Sequence, residues 1–193
     1  MYSYNIADIA CQVLSDMMKN EVIAMIESRL FKIIYHLMEK GQATAPELAE
    51  KIGEVDVIIT AEAKGIALAY EISRLLGKKE FIVARKSIKS YMCGVVSVSV
   101  HSITTSGEQH LYLDGHDAKR LCGKRVCIVD DVISTGESLY ALEALVESAK
   151  GIVTRKAAVL AEGKAAERDD IIFLQKLPLF HKCDDNSYEI KES

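Results

Sequence analysis

The chain has 193 residues, 49% of them hydrophobic, and a formal net charge of −4 at pH 7. This length and apolar content suit one domain with a full core, and the acidic balance argues against broad nucleic-acid affinity. No apolar run reaches the roughly 18 residues of a membrane span, and residues 1–5 lack the basic region of a secretory signal. We therefore expect a cytoplasmic protein without membrane contact. The five cysteines form no Cys-x-x-Cys pair, which predicts reduced thiols.

Apolar periodicity predicts a helical N-terminal region followed by alternating strands and helices. The predicted helices are residues 5–40, a short helix from Thr44, 66–76 and 137–149. The predicted strands are residues 55–60, 81–84, 95–100, 109–113, 126–129, 152–160 and 171–174. Alternation of this kind from residue 55 onward implies an α/β fold with a mainly parallel sheet and helices on both faces.

The stretch from Val126 to Ser138 carries the most chemical information. An apolar run ends in two adjacent carboxylates, and a turn of small and hydroxyl residues then opens a predicted helix. Backbone N–H groups and the helix dipole at such a turn favour a dianionic phosphate. Ionised aspartates accept hydrogen bonds from a vicinal diol, which suits a ribose. The pattern predicts a sugar-phosphate site made of Asp130, Asp131, Val132, Ser134, Thr135, Gly136, Glu137 and Ser138.

This stretch resembles the 13-residue phosphoribosyl pyrophosphate (PRPP) signature of type I phosphoribosyltransferases, with apolar residues, an acidic pair and a Thr-Gly phosphate turn. An Asp-Asp pair alone would favour an ordinary buried strand with an acidic turn. The resemblance covers residues 55–162 and is greatest to the adenine phosphoribosyltransferase-like purine branch. It implies that family's fold, a twisted, mainly parallel sheet flanked by helices. One domain would then comprise a helical N-terminal region (1–53), a PRPP-binding core (55–162) and a C-terminal hood and tail (163–193).

Two further segments are similar to the family's pyrophosphate-binding elements. The first, at residues 60–66, follows a predicted strand and opens a helix. In the family this loop often has an unusual peptide conformation. The second, at residues 81–89, is the next predicted strand followed by three basic residues. An acidic protein needs such cations if it binds several phosphates. A solvated strand end is the alternative for these cations, above all for Lys89. The expected pyrophosphate contacts are Ala63, Lys64, Gly65, Arg85, Lys86 and Lys89.

The resemblance implies a homodimeric, magnesium-dependent enzyme that transfers the phosphoribosyl group of PRPP to a purine base. Asp130 and Asp131 are its expected catalytic residues, with Mg²⁺ held through PRPP and water rather than by the protein alone. Glu162 and Phe180 are expected at the base, Glu162 as an acceptor for an exocyclic amine and Phe180 by stacking. Adenine is the expected base. Lys164, a donor to a 6-oxo group, favours hypoxanthine, guanine or xanthine instead.

Three alternatives to this enzyme follow from the same sequence. Residues 32–53 resemble the first half of a winged helix–turn–helix, but a predicted buried strand at residues 55–59 follows where a basic recognition helix would be needed. We therefore interpret residues 32–53 as a cap on the core and expect no nucleic-acid partner. A PRPP-sensing regulator without catalysis and an oligomeric protein with a vestigial pocket are the other two.

Overall fold

The computed structural model describes residues 44–78, 80–101, 108–177, 180–182 and 188–190. Its helices are α1 (Thr44–Ile52), α2 (Ile66–Leu75), α3 (Gly115–Leu121), α4 (Glu137–Ser148) and a 3₁₀ helix (Gly163–Glu167). Its strands are β1 (Val57–Ala61), β2 (Ile82–Ala84), β3 (Val96–His101), β4 (Glu108–Leu113), β5 (Arg125–Ile133), β6 (Ile152–Glu162), β7 (Ile172–Leu177), β8 (Phe180–Lys182) and β9 (Tyr188–Ile190). The helical prediction for residues 5–40 lies outside the described residues.

Five parallel strands form the central sheet, in the order β2-β1-β5-β6-β7. In β1, Ala61 is opposite Ala84 of β2, and Ile59 is opposite Ile128 of β5. Because all five strands run in one direction, their carboxyl ends share one edge, where open α/β sheets form binding crevices. The predicted α/β fold with a mainly parallel sheet is confirmed.

Helices cover both faces of this sheet, as the alternation of elements predicted. Neighbouring residues of β1 point to opposite faces, and Ile58 and Ile59 accordingly belong to two different core clusters. Helices α1 and α2 pack on the Ile58 side, where Leu48 and Ile72 are fully buried. Helices α3 and α4 and the β3–β4 hairpin pack on the other side, around residues such as Leu142. Burial on both faces explains why the central strands are almost continuously apolar.

Strand β5 is longer than the predicted strand 126–129. It continues through the acidic pair to Ile133, so Asp130 and Asp131 lie within the strand rather than after it. Pairing with β6 maintains the extension, with Asp130 opposite Ala158 and Ile133 opposite Ala161. Backbone hydrogen bonds to a neighbouring strand thus override the low strand propensity of aspartate.

Helix α3 was not predicted. Asp114 is its N-cap, and the Asp114 carboxylate accepts a hydrogen bond of 2.8 Å from the His116 N–H. The helix has only 7 residues and buries two of them, Ala118 and Leu121, which is too few for a recognisable apolar period. Tertiary packing rather than periodicity stabilises it.

The structure also contains two antiparallel pairs, the β3–β4 hairpin and the β8–β9 ribbon. The hairpin is attached to the end of β2, because Arg85 and Tyr112 exchange two backbone hydrogen bonds of 2.9 and 2.8 Å. Strand β7 forms the edge of the central sheet next to β6. Within the described segments, no helix is long and apolar enough to span a bilayer.

Candidate functional site

The predicted binding segments converge at the carboxyl edge of the sheet. The neighbouring strands β2, β1 and β5 lead respectively to the basic segment (residues 85–89), the loop 62–65 and the acidic pair with its phosphate turn (residues 130–138). Parallel register places the ends of β1 and β2 side by side, with Ala61 opposite Ala84. Segments that are far apart in the chain therefore lie along one edge of the sheet.

The acidic pair is largely removed from solvent. Asp131 is only 6% exposed and Asp130 is partly buried, and the Asp131 N–H donates to Asp130 Oδ1 at 2.9 Å. Burial, together with the adjacent Asp131 carboxyl, raises the pKa of Asp130 to about 7, while the charge of Lys86 opposes this rise. Asp130 consequently changes its charge near neutral pH, and a bound cation or hydrogen-bond donor would favour its ionised form.

The phosphate turn, defined as residues 134–138, leads directly into α4. Gly136 has φ of +82°, in the left-handed region where glycine is favoured. The Glu137 N–H approaches Thr135 Oγ1 at 3.5 Å, and the Ser134 and Ser138 side chains are exposed. Since the first N–H groups of a helix lack partners within it, the start of α4 and these hydroxyls form a polar surface that suits an anion.

The loop between β1 and α2 approaches the sheet closely. The peptide bond between Glu62 and Ala63 is cis, which is an unusual peptide conformation of the kind that the resemblance implied here. A β-carbon on Gly65 would lie 2.1 Å from Thr60 Oγ1 and 3.3 Å from the Val129 carbonyl oxygen. Only glycine therefore allows α2 to begin this close to β1 and β5.

Glu62, which sequence analysis did not select, contacts three residues of the basic segment. Its carboxylate lies 3.3 Å from Arg85 Nη1 and 3.8 Å from Lys89 Nζ, and it accepts the Lys86 N–H at 3.2 Å. That N–H, followed by the charges of Lys89 and Arg85, lowers the pKa of Glu62. Lys64 is exposed in the same loop. The signal available in the sequence was an acidic residue inside a segment expected to bind an anion.

The residues predicted at the base lie in two places. Glu162 ends β6, with its backbone opposite Leu177, and is followed by the 3₁₀ helix in which Lys164 is exposed. Phe180 is in β8, where its backbone is opposite Ile190, and its side chain lies outside the described part of the structure. Of the two predicted base contacts, Glu162 is therefore the one that the structure describes at the carboxyl edge of the sheet.

Arg168 is a second residue that sequence analysis missed. It follows the 3₁₀ helix, and its Nη1 atom would lie 3.3 Å from a β-carbon placed on Gly136. The guanidinium group therefore lies beside the phosphate turn. No motif links Arg168 to this turn, since the two are separated by α4 and β6 and meet only in the folded chain.

Comparison with known proteins identifies the family. The model of the phosphoribosyl transferase domain matches residues 28–187. The chain belongs to the phosphoribosyltransferase family. It is 34% identical to a hypoxanthine/guanine phosphoribosyltransferase of Methanosphaerula palustris, over 63% of this chain and 69% of the relative. It is also 33% identical to an adenine phosphoribosyltransferase of Mycoplasmopsis agalactiae, over 69% of this chain and 76% of the relative.

A solved structure shows a similarity to the same family. The adenine phosphoribosyltransferase of Thermoanaerobacter pseudethanolicus is 28% identical and superposes with a TM-score of 0.52, covering 69% of this chain and 78% of that chain. The chain spans about half to three quarters of the length of the curated relatives it matches. Their names divide between hypoxanthine/guanine and adenine, so the comparisons support the purine branch of the family and leave the base to experiment.

Proposed function

We propose that this phosphoribosyltransferase transfers the 5-phosphoribosyl group of PRPP to a purine base and releases pyrophosphate. The observation that carries the proposal is the meeting of the acidic pair, the phosphate turn and the basic segment at one edge of the sheet. PRPP has a 5′-phosphate, a ribose diol and a pyrophosphate, and each of the three segments offers the polar chemistry that one of these groups needs.

Each segment then has a distinct role. Residues 134–138 bind the 5′-phosphate, Asp130 and Asp131 accept hydrogen bonds from the ribose hydroxyls, and residues 63–65 with the basic segment bind pyrophosphate. Cleavage at C1 leaves positive charge on the sugar and negative charge on the leaving group. The cations of the basic segment stabilise that leaving group, and binding at both ends of PRPP holds C1 in position for attack by a purine nitrogen.

We propose Mg²⁺ as the cofactor. Among the described residues, no group of three or more His, Cys, Asp or Glu side chains is arranged to bind a metal by itself. The two carboxylates of the acidic pair nevertheless fit a hard cation that takes its remaining ligands from substrate oxygens and water. When bound, the ion supplies positive charge to the departing pyrophosphate. Asp130 and Asp131 hold the ribose hydroxyls in the orientation that the departure of pyrophosphate requires.

Adenine is the proposed base, and a 6-oxopurine is the second candidate. Glu162, at the carboxyl end of β6, is the proposed acceptor of a hydrogen bond from the exocyclic amine of adenine. Lys164, exposed in the following 3₁₀ helix, favours a 6-oxo group instead. Phe180 remains the proposed stacking residue. Unpaired buried polar groups cost about 1–3 kcal/mol each, so the preferred base should have at least a roughly tenfold advantage.

We also propose that the protein is a cytoplasmic homodimer of purine salvage. Two large apolar side chains, Ile88 within the basic segment and Tyr91 just after it, are 60% and 63% exposed. A second copy of the chain covering these residues would remove apolar area from water, which favours association. Sedimentation of the purified protein tests this directly, and a monomer at micromolar concentration would contradict it.

The proposed reaction is tested by incubating the protein with PRPP, Mg²⁺ and each of adenine, hypoxanthine, guanine, xanthine and orotate. We expect pyrophosphate release with at least one purine and none with orotate. A tenfold higher kcat/KM for hypoxanthine than for adenine would overturn the choice of adenine. Magnesium-dependent PRPP binding without turnover of any base would favour the regulator, and no PRPP binding at all would favour a vestigial pocket.

Substitution of Glu62 should weaken the pyrophosphate side of this site. Glu62→Gln keeps an acceptor for the Lys86 N–H but removes the charge that attracts Arg85 and Lys89. We expect the basic segment to be held less firmly and pyrophosphate to bind about three- to tenfold more weakly, as measured by calorimetry. Glu71→Gln is the matched control, since it breaks another Arg–Glu pair on α2. Unchanged or tighter binding by Glu62→Gln would contradict this role.

A further inference from the structure

The phosphate turn has an unbalanced charge. Its sequence, from Ser134 to Ser138, contains one carboxylate, Glu137, and no basic residue. A sugar phosphate bound there would carry close to two negative charges beside that carboxylate. The helix dipole of α4 contributes only about half a positive charge. A cation from another part of the chain is therefore needed to balance the site.

The fold places one arginine beside this turn. Arg168 donates from Nε and Nη2 to Asp170 Oδ1 and Oδ2 at 2.8 and 2.7 Å. The third guanidinium nitrogen, Nη1, is the one that lies 3.3 Å from the β-carbon position of Gly136. Within the described residues, the hydrogen bonds of this guanidinium all come from the other two nitrogens. Nη1 thus has donor capacity at the edge of the turn.

A network of charges fixes Arg168 in this orientation. Asp170 accepts a hydrogen bond of 2.7 Å from Lys156 Nζ as well as the two from Arg168. Lys156 in turn is paired with Glu143 of α4, the helix that begins at the phosphate turn. The bonds from Arg168 and Lys156 hold the pKa of Asp170 well below its usual range, so the anchor stays ionised. A two-point fork of this kind restrains a guanidinium group more than a single contact would.

We propose that Arg168 is a further substrate-binding residue, whose Nη1 donates to the 5′-phosphate bound at the phosphate turn, and that Asp170 is its positioning residue. This inference rests on the proposed function, because it takes the turn to be the site of a sugar phosphate. It adds the cation that the turn lacks. It also links Arg168, at the end of the segment after β6, to the phosphate.

The test measures two probes by calorimetry on the full chain, ribose 5-phosphate for the turn and inorganic pyrophosphate for the basic segment. For Arg168→Gln we expect ribose 5-phosphate to bind about tenfold more weakly, while pyrophosphate stays within about twofold of wild type. Arg155→Gln, which removes an exposed arginine from β6, is the matched control and should leave both affinities unchanged. Asp170→Asn should weaken ribose 5-phosphate by a smaller factor, because the cation remains but is no longer fixed.

The possible results separate the two proposals. The role of Arg168 would be overturned if Arg168→Gln binds ribose 5-phosphate as tightly as Arg155→Gln does. Equal losses of affinity for both probes would overturn it as well. If Arg168→Gln fails to fold, the same two affinities are measured for Arg168→Lys. It retains the charge but loses the fork, so a selective loss of about threefold is expected and no loss contradicts the proposal. Wild-type protein that binds neither probe would overturn the proposed function and this inference together.

Discussion

Asp130→Asn should stabilise the protein at pH 8 and at the same time reduce transferase activity by on the order of 100-fold. The pKa of Asp130 is raised from 3.8 to about 7, so above neutral pH the folded chain must hold a charge that burial disfavours. Asparagine retains the acceptor for the Asp131 N–H and removes that charge. We expect a gain of stability on the order of 2 kcal/mol, less than the full shift implies, because Asp130 is partly exposed to water.

The sign of this effect follows from proton binding. The folded state binds the Asp130 proton more tightly than the unfolded state, so wild-type stability falls as the pH rises from about 4 to about 7. The advantage of Asp130→Asn should grow over this range and then level off. Thermal unfolding at several pH values measures it, with Asp169→Asn, an exposed substitution, as the control. A constant difference at all pH values would contradict the raised pKa.

Asp130→Asn should lower transferase activity although it raises stability. An ionised Asp130 accepts hydrogen bonds from the ribose and attracts the metal shell, whereas asparagine offers a weaker, neutral acceptor. Affinity for PRPP with Mg²⁺ should therefore fall in wild type as the pH drops below 7, and this dependence should disappear in Asp130→Asn. Unaltered kcat/KM in the variant would mark the acidic pair as structural. Asp131→Asn should likewise weaken PRPP binding, with thermal stability nearly unchanged.

Gly65→Ala should have the largest effect on folding. The backbone of Gly65, with φ of −72°, is allowed for alanine, so the cost comes from packing alone. Its β-carbon would lie 2.1 Å from Thr60 Oγ1 and 3.3 Å from the Val129 carbonyl oxygen. Overpacking of this kind costs about 1–3 kcal/mol. We expect a marked fall in the melting temperature, together with weaker pyrophosphate binding as the loop 62–65 moves outward.

A double-mutant cycle identifies the contact responsible. Thr60→Ala removes the closest atom, so Gly65→Ala should cost less in that background than in wild type. The contact with Val129 remains and should prevent full recovery. Additive effects of the two substitutions would show that the clash with Thr60 is not the cause. Denaturant unfolding of the four proteins supplies the required free energies.

The sequence by itself determined the parallel sheet and the segments that line its carboxyl edge. Apolar runs such as residues 126–129 are long enough to specify buried strands, and the small residues after Asp131 specify a turn into a helix. These are local signals. Residues that are close together in the chain share one helix or strand. The spacing of their apolar and small side chains therefore reveals that element without knowledge of the fold.

Only the tertiary structure decided which side chains meet. Pairing of β5 with β6 extended the strand through Asp130, and packing against the core created α3 without a periodic signal. Glu62 reached the basic segment because β1 and β2 are adjacent, and Arg168 reached the phosphate turn across α4 and β6. Such contacts depend on strand order and on the distance between elements. Neither quantity is encoded in local spacing, because long-range packing energies select them for the chain as a whole.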